Sequence, residues 1–564
     1  MALLALTVGA ACSPGLPAGQ TSREQAQVQP GSTGPRGTLK IAWFREPESL
    51  AAKFYTGPGM AEFGWTFNSS LTYLDFAGLP HPMMASEIPT RDNGGWVVNA
   101  DGTMVTTYRL RPNIRWHDGA PVTSHDFAFA FEVYADRDVP VYTRTPETLM
   151  SSVKALDDHM IAIAWNQPYV GANLLGYQAL DPLPRHLLEE KYRTNKAQFA
   201  DGEEWRATYV GTGPFRMERW EPGTRMVARA NSDWFLGPPK LDTIDIRFIP
   251  NSNTIMANLL SGEAHITNSP SIRGAEAAMA RDQWLDRGEG YLKVWETRLR
   301  YLHFQHREVP NWQRAVADQR VRQALMHALD RHALVDGVNF GLGGPADSFF
   351  LPSDALFTEV DRAVSKYPYD PARATAVLAE AGWRSSSAGA QLADPSGQTL
   401  SIDVWSSAGT NDENEIAIIS HYWQSVGINS QIFVIPAARR NDEELGSGFT
   451  GARTAGRTIS SDNFVFTSDN VPKEEFRWAG NNRGSFRDVE IDRLHNLVMT
   501  ALDAPQRRDA TLALHKRFTE LVGIGHLYYD VEVILARNAL KGPIGNYGPQ
   551  QGITWNIFEW ELTE

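Results

Sequence analysis

From Thr38 onward, short strand patterns alternate with capped, glycine-terminated helices, and that mixture confines the chain to the α/β class. Leu39-Lys40-Ile41-Ala42-Trp43-Phe44 reads as a strand, as do Thr106-Thr107-Tyr108-Arg109-Leu110 and the stretch from Asp242 to Pro250. Trp116-His117-Asp118-Gly119 is a turn. Thr123-Ser124-His125-Asp126 then has the spacing of a capping box, in which a hydroxyl and a carboxylate three residues apart satisfy free N–H groups at a helix start. Phe127, Ala130, Phe131 and Tyr134 follow on one apolar face. Asn253 to Leu260 reads as a helix closed by Gly262. Asp318 caps a helix whose inner face is Val321, Ala324, Leu325 and Ala328. Asp370-Pro371 starts another, with Pro at the first helical position and Gly382 at the end. Leu400 to Val404 reads as a strand and Trp405 to Asn411 as a loop. The helix that follows carries Ile416, Ile419, Trp423 and Val426 and stops at Gly427.

A chain of 564 residues is long enough for several domains. Lys and Arg number 53 against 66 Asp and Glu, a net charge of −13, which disfavours nucleic acid as a partner. The single cysteine, Cys12, leaves no internal disulfide. It ends the apolar run Ala2 to Ala11, too short to span a bilayer as a helix. The run reads as the end of a secretory signal, with small residues before a cysteine that resembles a bacterial lipobox. Gly9 stands where a lipobox usually has Leu, and no basic residue precedes the run; an ordinary signal with an incidental cysteine is the alternative. Residues 13–37, rich in Ser, Pro, Gly, Gln and Thr, read as a flexible tether. The expectation is an exported protein anchored by a lipid on Cys12 to the outer face of the cytoplasmic membrane.

Motifs for catalysis are missing. The chain has no HExxH, CxxC or Walker loop, and Gly341-Leu342-Gly343-Gly344 lacks the Lys-Ser/Thr of a phosphate loop. Ser124, His125 and Asp126 are chain neighbours at a helix start, so they point apart and cannot relay a proton. His303 and His306 sit in a strand pattern that keeps them from sharing a metal. No enzyme, metal or cofactor is expected. Seventeen tryptophans serve core packing, or in part stack on a ligand in a cleft.

Several segments together resemble the extracellular solute-binding protein family 5, the oligopeptide- and dipeptide-binding group. They are Tyr108 to Gly119 with Pro121-Val122-Thr123 and Asp126-Phe127; Gly211-Thr212-Gly213-Pro214-Phe215 with Asn231-Ser232-Asp233-Trp234-Phe235; Asp318 to Leu325 with Ala328-Leu329-Asp330-Arg331; and Tyr369 to Ala374 with Leu378 to Trp383. They occur in the family's order. The resemblance implies a type II periplasmic-binding-protein fold: two lobes with a hinge and an extra small domain. By analogy lobe I takes 38–66, 208–300 and 535–564, the extra domain 67–207, and lobe II 301–534. It also implies a monomer that closes on a small solute and delivers it to ABC permease subunits. A peptide is the leading ligand. An oligosaccharide, a receptor subunit that reports its ligand, and least of all a secreted hydrolase are the alternatives.

Three segments are expected to line the cleft. The first is the loop after the first strand, with Arg45, Glu46 and, beyond it, Tyr55. The second holds Trp405, Ser406 and Asn411 between a strand and a helix, where open α/β lobes place ligand groups. The third is Asp462, Asn463 and Phe464, where the resemblance puts the carboxylate that pairs with a peptide's α-amino group. No Trp precedes Asp462 within its segment, a departure from the peptide binders.

Overall fold

Ten strands form one sheet in the order Ile432–Ile435, Val404–Ser407, Ala452–Thr458, Gly290–Phe304, Ile524–Arg537, Ile266–Asn268, Thr38–Trp43, Thr243–Phe248, Arg225–Ala230, Phe215–Glu221. The computed structural model describes residues 37–563 apart from 52, 55–58, 140, 142–143, 388, 441, 459–463, 477, 479 and 546–550. The two long central strands run antiparallel from Gly290↔Arg537 to His303↔Ile524. At one end Ile524–Arg537 pairs with Ile266–Asn268, and at the other Gly290–Phe304 pairs with Ala452–Thr458. This central pair therefore joins two halves.

Separate apolar cores mark those halves. One gathers Leu39, Trp43, Phe63, Phe215, Ile244, Ile534 and Trp560. The other gathers Leu302, Val321, Leu325, Leu378, Ile416, Trp423 and Leu527. A third core, with Tyr108, Phe127, Ile161 and Trp165, lies against a smaller four-stranded sheet ordered Trp96–Val98, Met104–Arg109, Met160–Trp165, Met150–Asp157.

Local signals land where expected. Thr123 and Asp126 form the capping box of Ser124–Ala135. Asp318 accepts from Arg320 N at the start of Gln319–His327, and Asp370 accepts from Arg373 N at the start of Pro371–Glu380. Gly213 admits no side chain: a Cβ there would lie 2.3 Å from the Phe67 carbonyl carbon.

One element differs from its expected position. Val404–Ser407 is a strand, paired in parallel with Ile432–Ile435 on one side and Ala452–Thr458 on the other. Trp405 and Ser406 therefore belong to the strand, not to a loop, and the helix Thr410–Ser425 follows almost at once. Four residues carry too little period to place a strand, and pairing on both edges decides it.

Candidate ligand-binding cavity

Where the halves meet, a cavity of about 510 Å³ opens, within the range typical of small-molecule sites. Three helices begin at its wall. Met60–Phe67 supplies Glu62, Gly274–Gln283 follows Arg273, and Thr410–Ser425 supplies Asn411 and Asp412. Free N–H groups at such starts favour anions. Gly59 precedes the first of these helices at φ +90, and a Cβ there would meet the Trp43 Nε1 at 2.7 Å, so only glycine fits.

The central strands contribute Arg298, Arg300, Tyr528, Asp530 and Glu532. Their pairing slips between Glu296 and Arg298, leaving Thr297 as an extra residue and setting Arg298 opposite Asp530. A bulge of this kind re-aims the side chains around it. Tyr177 and Gln178 close the wall from the smaller-sheet region.

The charges divide into paired and unpaired groups. Arg300 donates from Nε to Glu415 Oε1 at 3.0 Å and from a terminal nitrogen to Asp412 Oδ1 at 2.6 Å. Burial opposes its charge, but Glu415 and Asp412 outweigh burial and raise its pKa. Asp530 accepts from Asn339 Nδ2 at 3.2 Å. By contrast, Glu62, Glu532, Arg273 and Arg298 make no ion pair among the described residues. Burial pushes the Glu62 carboxyl up to about 7, against a contact from Asn268 at 3.4 Å. Burial raises Glu532 to about 8; Glu62 and Asp530 add to this and Arg298 opposes it. Burial thus favours the protonated form of both carboxyls.

Of the residues expected to line the cleft, Asn411 does so. Tyr55, Asp462 and Asn463 lie outside the described residues. Arg45 is exposed and rests over the Phe44 ring at 5.5 Å. Glu46 accepts from Gly223 N at 2.7 Å and from Trp220 Nε1, which ties it to a hairpin turn. Trp405 packs against Phe433, with ring centroids 4.0 Å apart and the rings tilted by 32°, and Ser406 is buried. Phe464 packs into a core with Phe349, Phe466 and Phe518, its ring 4.9 Å from that of Phe518. A Phe beside polar residues suits a core edge as well as a cleft, and sequence does not separate the two.

Sequence reasoning missed Glu62, Arg273, Arg298 and Glu532. The available signal was the carboxylates Asp530 and Glu532 inside the otherwise aliphatic and aromatic run Leu527 to Ala536. Among the described residues no Trp lines the cavity, no group of three His, Cys, Asp or Glu is placed to hold a metal, and no helix is long and apolar enough to cross a membrane.

The model of bacterial extracellular solute-binding proteins, family 5 Middle, matches residues 80–471. The oligopeptide-binding protein AppA of Bacillus subtilis is 23% identical over 555 residues, covering 97% of this chain and 95% of that protein. Its structure in complex with a nonapeptide superposes with a TM-score of 0.71 at 22% identity, over 94% of this chain and 100% of that one. A Brucella ovis protein, a putative ABC transporter peptide-binding protein, is 29% identical over 281 residues, 49% of each chain. NikA from Brucella suis, in complex with Fe(III)-EDTA, superposes with a TM-score of 0.75 at 17% identity, over 93% and 100% of the two chains. The chain belongs to the bacterial extracellular solute-binding proteins of family 5.

Proposed function

We propose that the solute is a short peptide, held in the cavity between the halves and handed to an ABC import permease. The observation that carries this reading is the lining itself: Glu62 and Glu532 share one space with Arg273 and Arg298, and among the described residues none of the four makes an ion pair, while Arg300 is held by Asp412 and Glu415. A peptide with free termini offers a partner to each. The names of two relatives, an oligopeptide-binding protein and an ABC transporter peptide-binding protein, point the same way. An oligosaccharide fits less well, because among the described residues the aromatic lining is Tyr177 and Tyr528, without tryptophan to stack a sugar.

On this reading lobe I comprises 38–66, 208–300 and 535–564, the extra domain 67–207, and lobe II 301–534. The central strands Gly290–Phe304 and Ile524–Arg537 are then the two crossings of the hinge, and the separate apolar cores on either side support that division. Asn411 contacts the ligand from lobe II. The family binds solutes, and we infer that this chain releases its solute unchanged. Cys12, outside the described residues, carries the lipid anchor, and 13–37 lets a monomer reach its permease.

Mass spectrometry of small molecules released by denaturing the protein from its native cells tests this reading. Peptides are expected. A sugar or a metal chelate as the bound species overturns the peptide assignment.

A further inference from the structure

The run Gly341-Leu342-Gly343-Gly344 cradles no phosphate, but it joins two apolar cores. The helix before it, Arg331–Asn339, is fixed in one half: Leu334, Val335 and Val338 belong to the core of Leu325 and Trp423. Four residues past Val338, Leu342 packs against a different core, with Ile255, Leu259, Ile272 and Trp284. That core also holds Ala42 and Leu535, the chain neighbours of Trp43 and Ile534. Trp43 and Ile534 point into the other half's core, so these two cores lie on opposite faces of the same strands. Leu342 thus reaches from one half into the other. Backbone contacts guide the crossing. Leu342 N donates to Asn339 O at 3.0 Å, which turns the chain off the helix end. Tyr529 N donates to Gly344 O at 2.8 Å and Pro345 bridges to Tyr528, so the segment lies along the central strand Ile524–Arg537. Gly343 has φ +87, and a Cβ there would lie 2.5 Å from Tyr529 O. Across the same joint, a Cβ on Gly274 would lie 3.1 Å from Asn339 O, and Asn339 and Gly274 both line the cavity.

We infer that Leu342 is a latch between the halves: seated, it holds Asn339 against Gly274, and leaving its seat lets the halves swing about the central strands. This rests on the hinge proposed above and adds a third crossing to its two strands. The strands are tied by continuous hydrogen-bonded pairing. The latch is different in kind. Leu342 is only half-buried, and the glycines on either side bring no side chain of their own to the joint. A packed side chain between two rigid bodies has discrete seats, so it sets the ratio of two arrangements rather than a continuous bend. A solute that touches Asn339 or Gly274 acts on that same ratio.

The test uses the full chain with Cys12→Ser, spin-labelled at Ser232→Cys in one half and Ser425→Cys in the other, both exposed positions. Cys12 is the only native cysteine, so the labels are specific. Pulsed electron paramagnetic resonance measures the distance between them, in protein purified from its native cells and in the same protein unfolded, dialysed free of solute and refolded. In the solute-free protein, Leu342→Ala is expected to raise the share of a second distance about tenfold relative to the first. Leu342→Met, which refills the seat, should bring the ratio back to near the wild-type value. Gly343→Ala presses a Cβ on Tyr529 O and should move the ratio in the same direction as Leu342→Ala. It carries the test if Leu342→Ala does not fold. A folded variant with the wild-type distribution overturns the latch and leaves Leu342 as core packing; the hinge still stands if the wild-type distance changes on removal of the native solute. A distance that is the same with and without that solute, and in every variant, defeats the two-half reading as well.

Discussion

The Lys53 ammonium lies 2.8 Å from Glu147 Oε2, and both side chains are shut off from solvent, at 1% and 0% exposure. Lys53 also donates to Gln178 O at 2.7 Å and Thr145 O at 3.3 Å, while Glu147 Oε1 accepts from Leu180 N at 2.9 Å. Gln178 and Leu180 adopt φ of 64 and 54, a region that side chains other than glycine rarely occupy. The ion pair thus anchors the turn that carries Tyr177 and Gln178 to the cavity wall.

Removing one partner should therefore be costly. Lys53→Met leaves a buried carboxylate uncompensated and is expected to destabilise the chain by about 3–5 kcal/mol. Lys53→Met/Glu147→Leu should recover part of that loss. Chemical denaturation of the single and double variants measures both; a single variant within 1 kcal/mol of wild type, taken as about the value of an exposed pair, contradicts the account.

Stability should depend on pH in two windows of opposite sign. Glu62 and Glu532 have raised pKa values, so the folded chain binds more protons than the unfolded one, and their ionisation destabilises as pH rises toward 8. His306, His515 and His526 are held down to about 3 by burial, so stability is lost below the ordinary histidine range as they are forced to charge. The histidines are the same in wild type and variant, so their titration cancels in the difference between the two, which isolates the carboxyls. Glu62→Gln/Glu532→Gln should gain on the order of 2 kcal/mol over wild type at pH 8.5 relative to pH 6.5. Below pH 6 the histidines destabilise both proteins, while the wild-type carboxyls go on favouring the folded state until the ordinary glutamate range near 4.5 is reached. Parallel curves across the upper window would falsify the placement of these carboxyls.

The anchor is tested by fractionation. Cys12→Ser should move the protein from the membrane to the soluble fraction of its native cells. A mutant that stays with the membrane at the wild-type level removes the lipid from the account.

Local chemistry was legible in the sequence and distant pairing was not. Asp318, Asp370 and Gly427 could be read because a cap or a stop is settled within a few residues of itself. Val404–Ser407 could not, because its edges are filled by strands that come later in the chain. The cavity posed the same difficulty on a larger scale. Asn411, singled out by its place before a helix, is among the lining residues, whereas Glu62 and Glu532 share the space only when the first described helix and the last long strand meet. The pattern Val531-Glu532-Val533 reads as ordinary strand alternation until that meeting makes the outward face an inner wall.

The central claim is that two halves joined by Gly290–Phe304 and Ile524–Arg537 close over a peptide. Small-angle scattering of the full chain, alone and saturated with a peptide identified from the native ligand, measures this most directly. The account predicts a smaller radius of gyration with the peptide bound, as the closed population grows. An identical scattering profile at saturation would contradict it.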